Sequence, residues 1–99
     1  MTEWALKSHP HLTQDLDQLG TKELEIFYKK KGKIKENPIR QKHLRGGENC
    51  YREPITENIR LIYYIEDKTI WLLTIGPHEK AYQRYLQRLH SLKQKYMTQ

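Results

Sequence analysis

The run Ile59 to Glu66, I-R-L-I-Y-Y-I-E, constrains the fold more than any other part of the chain. Ile59, Leu61, Tyr63 and Ile65 alternate with Arg60, Ile62 and Tyr64, so an extended backbone points the first set to one side and the second to the other. Two further segments share its wealth of Ile, Tyr, Trp and Thr: Cys50 to Ile55 and Thr69 to Ile75. Turns at Thr56-Glu57-Asn58 and Asp67-Lys68 join the three as antiparallel strands. Only the Ile59 set is uniformly apolar, so that side is expected to carry the helices. Gly76-Pro77 then breaks the last strand.

Around this sheet the spacing changes from two to about 3.6. Thr2 to Lys7 alternates Trp4 and Leu6 and reads as a short edge strand. Ser8-His9-Pro10 then opens a helix, with Ser8 as its cap. Leu12, Leu16 and Leu19 fall on one face, and Gly20 ends that helix. Thr21 caps a second helix with Leu24, Phe27 and Tyr28 inward, stopped by Gly32 and then Asn37-Pro38. Lys33 to His43 follows as a basic connection. After Pro77, the residues Tyr82, Tyr85, Leu86, Leu89, Leu92 and Tyr96 make a helical stripe that can dock on the domain or on a partner, ahead of a frayed tail. The expected architecture is α+β: two N-terminal helices and a C-terminal helix around a small, mainly antiparallel sheet. The 99 residues suffice for one domain, 1–99, with a single core.

Charge narrows the function. Between Lys29 and Arg45 lie eight Lys/Arg and one acid, Glu36, a net of +7; the rest of the chain nets −1. Such a concentration suits a polyanion, because each neutralised phosphate releases counterions. A solvated lysine-rich helix end would leave the same pattern. The lone Cys50 excludes an intramolecular disulfide, and no apolar run approaches membrane length, which places the expected home in a reducing cytoplasm.

Four residues stand out chemically. Arg60 sits among Ile59, Leu61 and Ile62 in the central strand, where a guanidinium needs a counter-charge or an opening. An ion pair with Glu53, Glu57 or Glu79 is the commoner arrangement; a phosphate is the functional one. Arg52, on the neighbouring strand, would complete a clamp whose planar groups match phosphate oxygens two at a time. His78 follows Gly76-Pro77 at a strand end, and imidazole exchanges protons near neutrality. A helix-start histidine without a function is the plainer reading. Tyr82 lies four residues on, on the same helix face, where it can pack in the core or contact substrate. Lys80 and Arg84 add cations at the helix start, and Lys33, Lys35, Lys42 and Arg45 belong to the basic segment. Glu36 beside Asn37-Pro38 is a weaker candidate for a base. His9, His11, His43 and His90 read as surface residues that form no zinc spacing with Cys50.

Taken together, H-L-R-G-G-E-N-C-Y-R-E-P-I, then N-I-R-L-I-Y-Y-I-E-D, then I-G-P-H-E-K-A-Y resembles the RelE-type toxin family of bacterial toxin–antitoxin systems. The likeness spans roughly Lys42 to Tyr82. It rests most on Leu-Arg-Gly with a following Tyr-basic pair, the Arg-Leu-Ile-Tyr strand and the histidine after the last strand. It implies a single RelE-like domain and an endoribonuclease that cuts messenger RNA, typically in the ribosomal A site, by attack of the 2′-hydroxyl on the adjacent phosphate. No metal or other cofactor is implied. Arg60 becomes the main transition-state clamp, Arg52 a second cation, His78 the general acid or base and Tyr82 the substrate positioner. Arg45, Lys42, Lys80, Arg84, Lys33 and Lys35 become contacts to RNA or ribosome. Pro54 departs from the pattern by standing where some relatives carry a second lysine, which puts more of the proton transfer on His78 or on a further group outside this set. The implied partners are messenger RNA, the ribosome and an acidic antitoxin, in a toxin–antitoxin hetero-oligomer. A non-catalytic ParE-like gyrase inhibitor, or an RNA-binding module of the same fold, is the alternative; gyrase-directed relatives generally lack the arginine and histidine set.

Overall fold

In the computed structural model, which describes residues 4–40, 42–43 and 49–97 without the side chains of 40, 42, 43, 96 and 97, the alternation around Ile59 builds the centre of a five-stranded sheet. The strands are β1 (Ala5–Ser8), β2 (Lys42–His43), β3 (Cys50–Pro54), β4 (Ile59–Glu66) and β5 (Thr69–Pro77), in the spatial order β1-β5-β4-β3-β2. All pairings are antiparallel except that of β1, which lies parallel to β5 from Ala5 against Thr69 to Ser8 against Leu72. The β4–β5 hairpin turns through Asp67-Lys68, with Asp67 in the left-handed region at φ 54°, a conformation that aspartate tolerates. Three helices complete the fold: α1 (Leu12–Leu16), α2 (Thr21–Glu36) and α3 (His78–Leu92).

The apolar side of β4 does carry helices. Leu61 and Tyr63, both fully buried, pack with Ile59, Ile70, Leu72 and Ile75 under Leu12 of α1 and Phe27 and Ile34 of α2. Helix packing is not confined to that side, however. Ile62, Tyr64, Trp71 and Leu73 form a second core beneath Ala81, Tyr85, Leu89 and Leu92 of α3. Arg60 and Glu66 stand at the two ends of that side of β4, and Ile62 and Tyr64 between them supply enough apolar area for a helix to cover.

Several local expectations give way for physical reasons. Ser8 finishes β1 instead of capping α1, whose N-cap is His11, and the helix lasts five residues instead of running to Gly20. Gly20, not Thr21, caps α2; its amide donates to Glu23 Oε1 at 2.8 Å, one half of a capping box. Gly32 lies inside α2, which continues to Glu36 because Ile34 on the next turn is fully buried and anchors it. Tyr28 and Leu86 point outward, 58% and 50% exposed. The strand β5 persists through Gly76-Pro77, which pair with Arg60 and Ile59. Pro77, with φ at −54°, also serves as the N-cap of α3. A bulge lies between the Ile62–Thr74 and Tyr63–Leu72 pairs, giving β5 one extra residue, Leu73.

The inward face of α2 is testable. Phe27→Ala, at a site 1% exposed, is expected to lower unfolding free energy in urea by about 3–5 kcal/mol. Its neighbour, Tyr28→Ala, should change it by no more than about 0.5 kcal/mol.

Candidate active site

The register of the strands sets which side chains can meet. Arg52 stands opposite Ile62, and Pro54 opposite Arg60, so the two arginines lie two positions apart on the α3 side of the sheet. Glu53 points to the other side, where its carboxylate is 1% exposed and takes a 3.0 Å bond from Lys30 Nζ of α2. The strand parity that aligns the arginines therefore removes Glu53 as a partner for Arg60. Among the described residues Arg60 pairs with no carboxylate at all. Its Nη1 donates to the carbonyls of Thr56 at 2.6 Å, Glu57 at 3.0 Å and Ile59 at 3.2 Å, which leaves a half-buried, un-neutralised cation at the β3–β4 turn.

That turn also holds the start of α3. Thr56 Oγ1 accepts the amides of Asn58 and Ile59, and the Asn58 carbonyl accepts the backbone amide of His78 at 2.9 Å. His78 is the first residue of α3 and is exposed. One turn later Tyr82 stacks against it, ring centroids 4.3 Å apart at 38°. Tyr82 Oη accepts a hydrogen bond from Arg52 Nη1 at 2.7 Å. A phenol that accepts from a guanidinium keeps its own proton to donate, so Tyr82 is set to bond an acceptor outside the chain. Arg52, Tyr82 and His78 thus form a continuous set, with Arg60 anchored to the same turn as His78. The set can neutralise a phosphate, donate to it and move a proton.

The remaining candidates are scattered. Lys42 stands opposite Arg52 at the sheet edge. Lys33 and Lys35 are exposed in the last turns of α2, across the sheet from Tyr82, and Lys80 is exposed on the first turn of α3. Arg45 lies outside the described residues. Arg84 is not an open phosphate contact: its Nη1 is 2.8 Å from Asp15 Oδ1. Cys50 is fully buried, which pushes its thiol up to about 11 against the opposing charge of Lys93 and keeps it protonated and unreactive at neutral pH.

Asp15 and His9 have roles the residue pattern did not assign. The Asp15 carboxylate, 3% exposed, accepts from Thr74 Oγ1 at 2.7 Å, the Ile75 amide at 3.2 Å, Arg84 and both Nη atoms of Arg88. Burial raises its pKa, but the bonds from Arg88, Thr74 and Ile75, with the Arg88 charge, outweigh that and hold it below its usual value. Arg88 also donates to the carbonyl of Leu73 in the bulge at 3.0 Å. His9 is not a surface residue; it is 3% exposed. Burial, with the charge of Arg88, lowers its pKa to about 4.

No family model matches the chain, and no curated protein matches it by sequence. Solved structures do. A double mutant of the E. coli toxin RelE in the free state aligns with a TM-score of 0.76 at 23% identity, over 89% of this chain and 99% of that one. The intact E. coli RelBE toxin–antitoxin complex contains a chain matching at 0.67 and 26%, over 75% of this chain and 95% of its own. The archaeal RelE–RelB complex from Pyrococcus horikoshii OT3 gives 0.65 and 23%, over 82% and 100%. The chain has the fold of the RelE toxins, an α+β sheet with helices on both faces.

Two outcomes test the Asp15–His9 region. Asp15→Ala leaves the largely buried Arg88 without its counter-charge and should cost about 3 kcal/mol in chemical denaturation. His9 stays neutral in the fold while the unfolded chain takes up a proton, so stability falls as pH drops from 6.5 to about 4. His9→Phe should remove that decline, on the order of 2–3 kcal/mol, and leave the further loss at lower pH, where Asp15 becomes protonated.

Proposed function

We propose that the chain is the toxin of a type II toxin–antitoxin system and an endoribonuclease that cleaves messenger RNA in the ribosomal A site. The observation that carries this reading is the set in which Arg52 bonds Tyr82, Tyr82 stacks on His78, and Arg60 holds the turn that anchors His78. The RelE fold supports it. A 2′-hydroxyl loses its proton and attacks the adjacent phosphorus, and the P–O5′ bond breaks. The products are a 2′,3′-cyclic phosphate and a 5′-hydroxyl that has gained a proton. Arg60 and Arg52 stabilise the charge that grows on the phosphorane oxygens, Tyr82 donates its free phenol proton to one of them, and His78 carries one of the two proton transfers. Lys33, Lys35, Lys42, Arg45 and Lys80 contact the backbone of messenger or ribosomal RNA. Arg84 is reserved for Asp15. The partner is an acidic antitoxin in a cytoplasmic hetero-oligomer.

Purified chain added to translating ribosomes on a defined message, with ends mapped by primer extension, checks the reading. Codon-positioned cuts are expected, and Arg60→Ala and His78→Ala should each slow them by roughly 100- to 1000-fold. Full-rate cutting by both variants, or no cutting by the parent chain, would contradict it. Inhibition of DNA supercoiling without cleavage would point to gyrase instead.

A further inference from the structure

A cleft of about 290 Å³ runs between the turn that follows β1 and the flank of α3 turned away from Tyr82. His9 and His11 line one wall, and Arg84, Gln87, Arg88 and Ser91 line the other, at the i, i+3, i+4, i+7 spacing of one helical stripe. His9 Nδ1 accepts the backbone amide of His11 at 3.0 Å, so the neutral ring carries its proton on Nε2. That Nε2 is buried and has no hydrogen-bond partner. An orphaned buried donor is costly, and proteins rarely retain one that nothing ever satisfies.

The other polar groups of the cleft are also rich in donors. Among the described residues Asp15 is the only carboxylate bonded at the cluster, and it is already shared between Arg84 and Arg88; with Lys95 also acting on His9, the local charge is positive. Arg84 uses Nε and Nη1 on Lys80 and Asp15, and Arg88 uses both Nη atoms on Asp15 and Leu73. Arg88 Nε remains, with the exposed amide of Gln87 and hydroxyl of Ser91, whereas Arg84 Nη2 lies against Gly76.

We propose that this cleft binds a carboxylate side chain from an acidic segment of a partner protein, with His9 Nε2 as the donor that reads it. The carboxylate enters the cleft beside the exposed Gln87 and Ser91, displaces the atoms that now cover Nε2, and replaces the missing bond of His9. A nucleic acid strand fits less well. A phosphate backbone is held by rows of open cations, one per phosphate neutralised, and here two guanidinium groups share one internal acid. His9 stays neutral near pH 7, so the pocket recognises an acceptor through a hydrogen bond more than through added charge. The inference needs neither Arg60 nor His78 and stands whether or not the chain cuts RNA.

The test uses the full chain and three probes at fixed ionic strength: a capped hexapeptide with three glutamates, its glutamine counterpart, and a hexauridylate. Affinity is read by calorimetry, and the site by the Nε2–H signal of His9 in nitrogen-edited NMR. The glutamate peptide is expected to bind at least tenfold more tightly than the glutamine peptide and to shift the His9 signal. Gln87→Glu, a surface change that should leave the melting temperature unaltered, is expected to weaken it tenfold or more, and His9→Phe likewise. A glutamate peptide that binds without moving the His9 signal, or with equal affinity for Gln87→Glu, would overturn the proposal. Equal or tighter binding of hexauridylate at His9 would overturn it in favour of a phosphate site.

Discussion

A carboxylate on a five-residue helix joins three elements, the edge of β5, α1 and α3, that strand pairing and core packing already bring together. β1 leaves the edge of β5 after Leu72, and α1 crosses the open edge beyond it. Asp15 fills the gap by accepting the Ile75 amide and the Thr74 hydroxyl that would otherwise face no strand. The same two oxygens bind Arg84 and Arg88, one turn apart on α3, so edge, short helix and long helix share one anion. Gly76 belongs to this arrangement: a Cβ there would lie 2.6 Å from Arg84 Nη2, and the guanidinium would have to shift. The result is a fixed lateral position for α3 on the sheet.

The chemistry-bearing end of α3 depends on that position. His78 is held at its backbone by Asn58, and Tyr82 reaches Arg52 only because the helix lies over Ile62 and Tyr64 with Tyr85 and Leu89 beneath it. The β3–β4 turn works from the other side. It gives its carbonyls to Arg60 and to the His78 amide, so the two candidate groups are attached to the same three residues. The pairing leaves Arg60 without a carboxylate among the described residues. That is unfavourable for stability alone and useful for binding an anion.

Much of this was legible in the chain. The alternation at Ile59–Glu66 gives β4 with its observed bounds, and Asp67-Lys68 is the hairpin loop. The two-sided helix packing was harder to see, because Arg60 made the second face look polar although Ile62 and Tyr64 dominate it. Register explains the correct placement of Arg52 beside Arg60 and the failure of Glu53 as a partner; both follow from a period of two. Asp15 left a signal that the leucine stripe obscured: it lies three residues after Leu12 and four before Leu19, inside an otherwise apolar face. His9 left none, since its burial depends on where α3 passes, a long-range outcome that no local pattern carries. Arg84 looked like an open cation for the same reason.

The central claim is that the Arg52–Tyr82–His78 set and Arg60 cut RNA through its own 2′-hydroxyl. The most direct test is cleavage of a ribosome-bound message carrying one 2′-O-methyl group at the mapped cut site, in parallel with the unmodified message. The account predicts that the unmodified message yields a 2′,3′-cyclic phosphate and a 5′-hydroxyl end, and that the methylated site stays intact. Cutting that persists across the methylated site, or that leaves a 5′-phosphate, would contradict it.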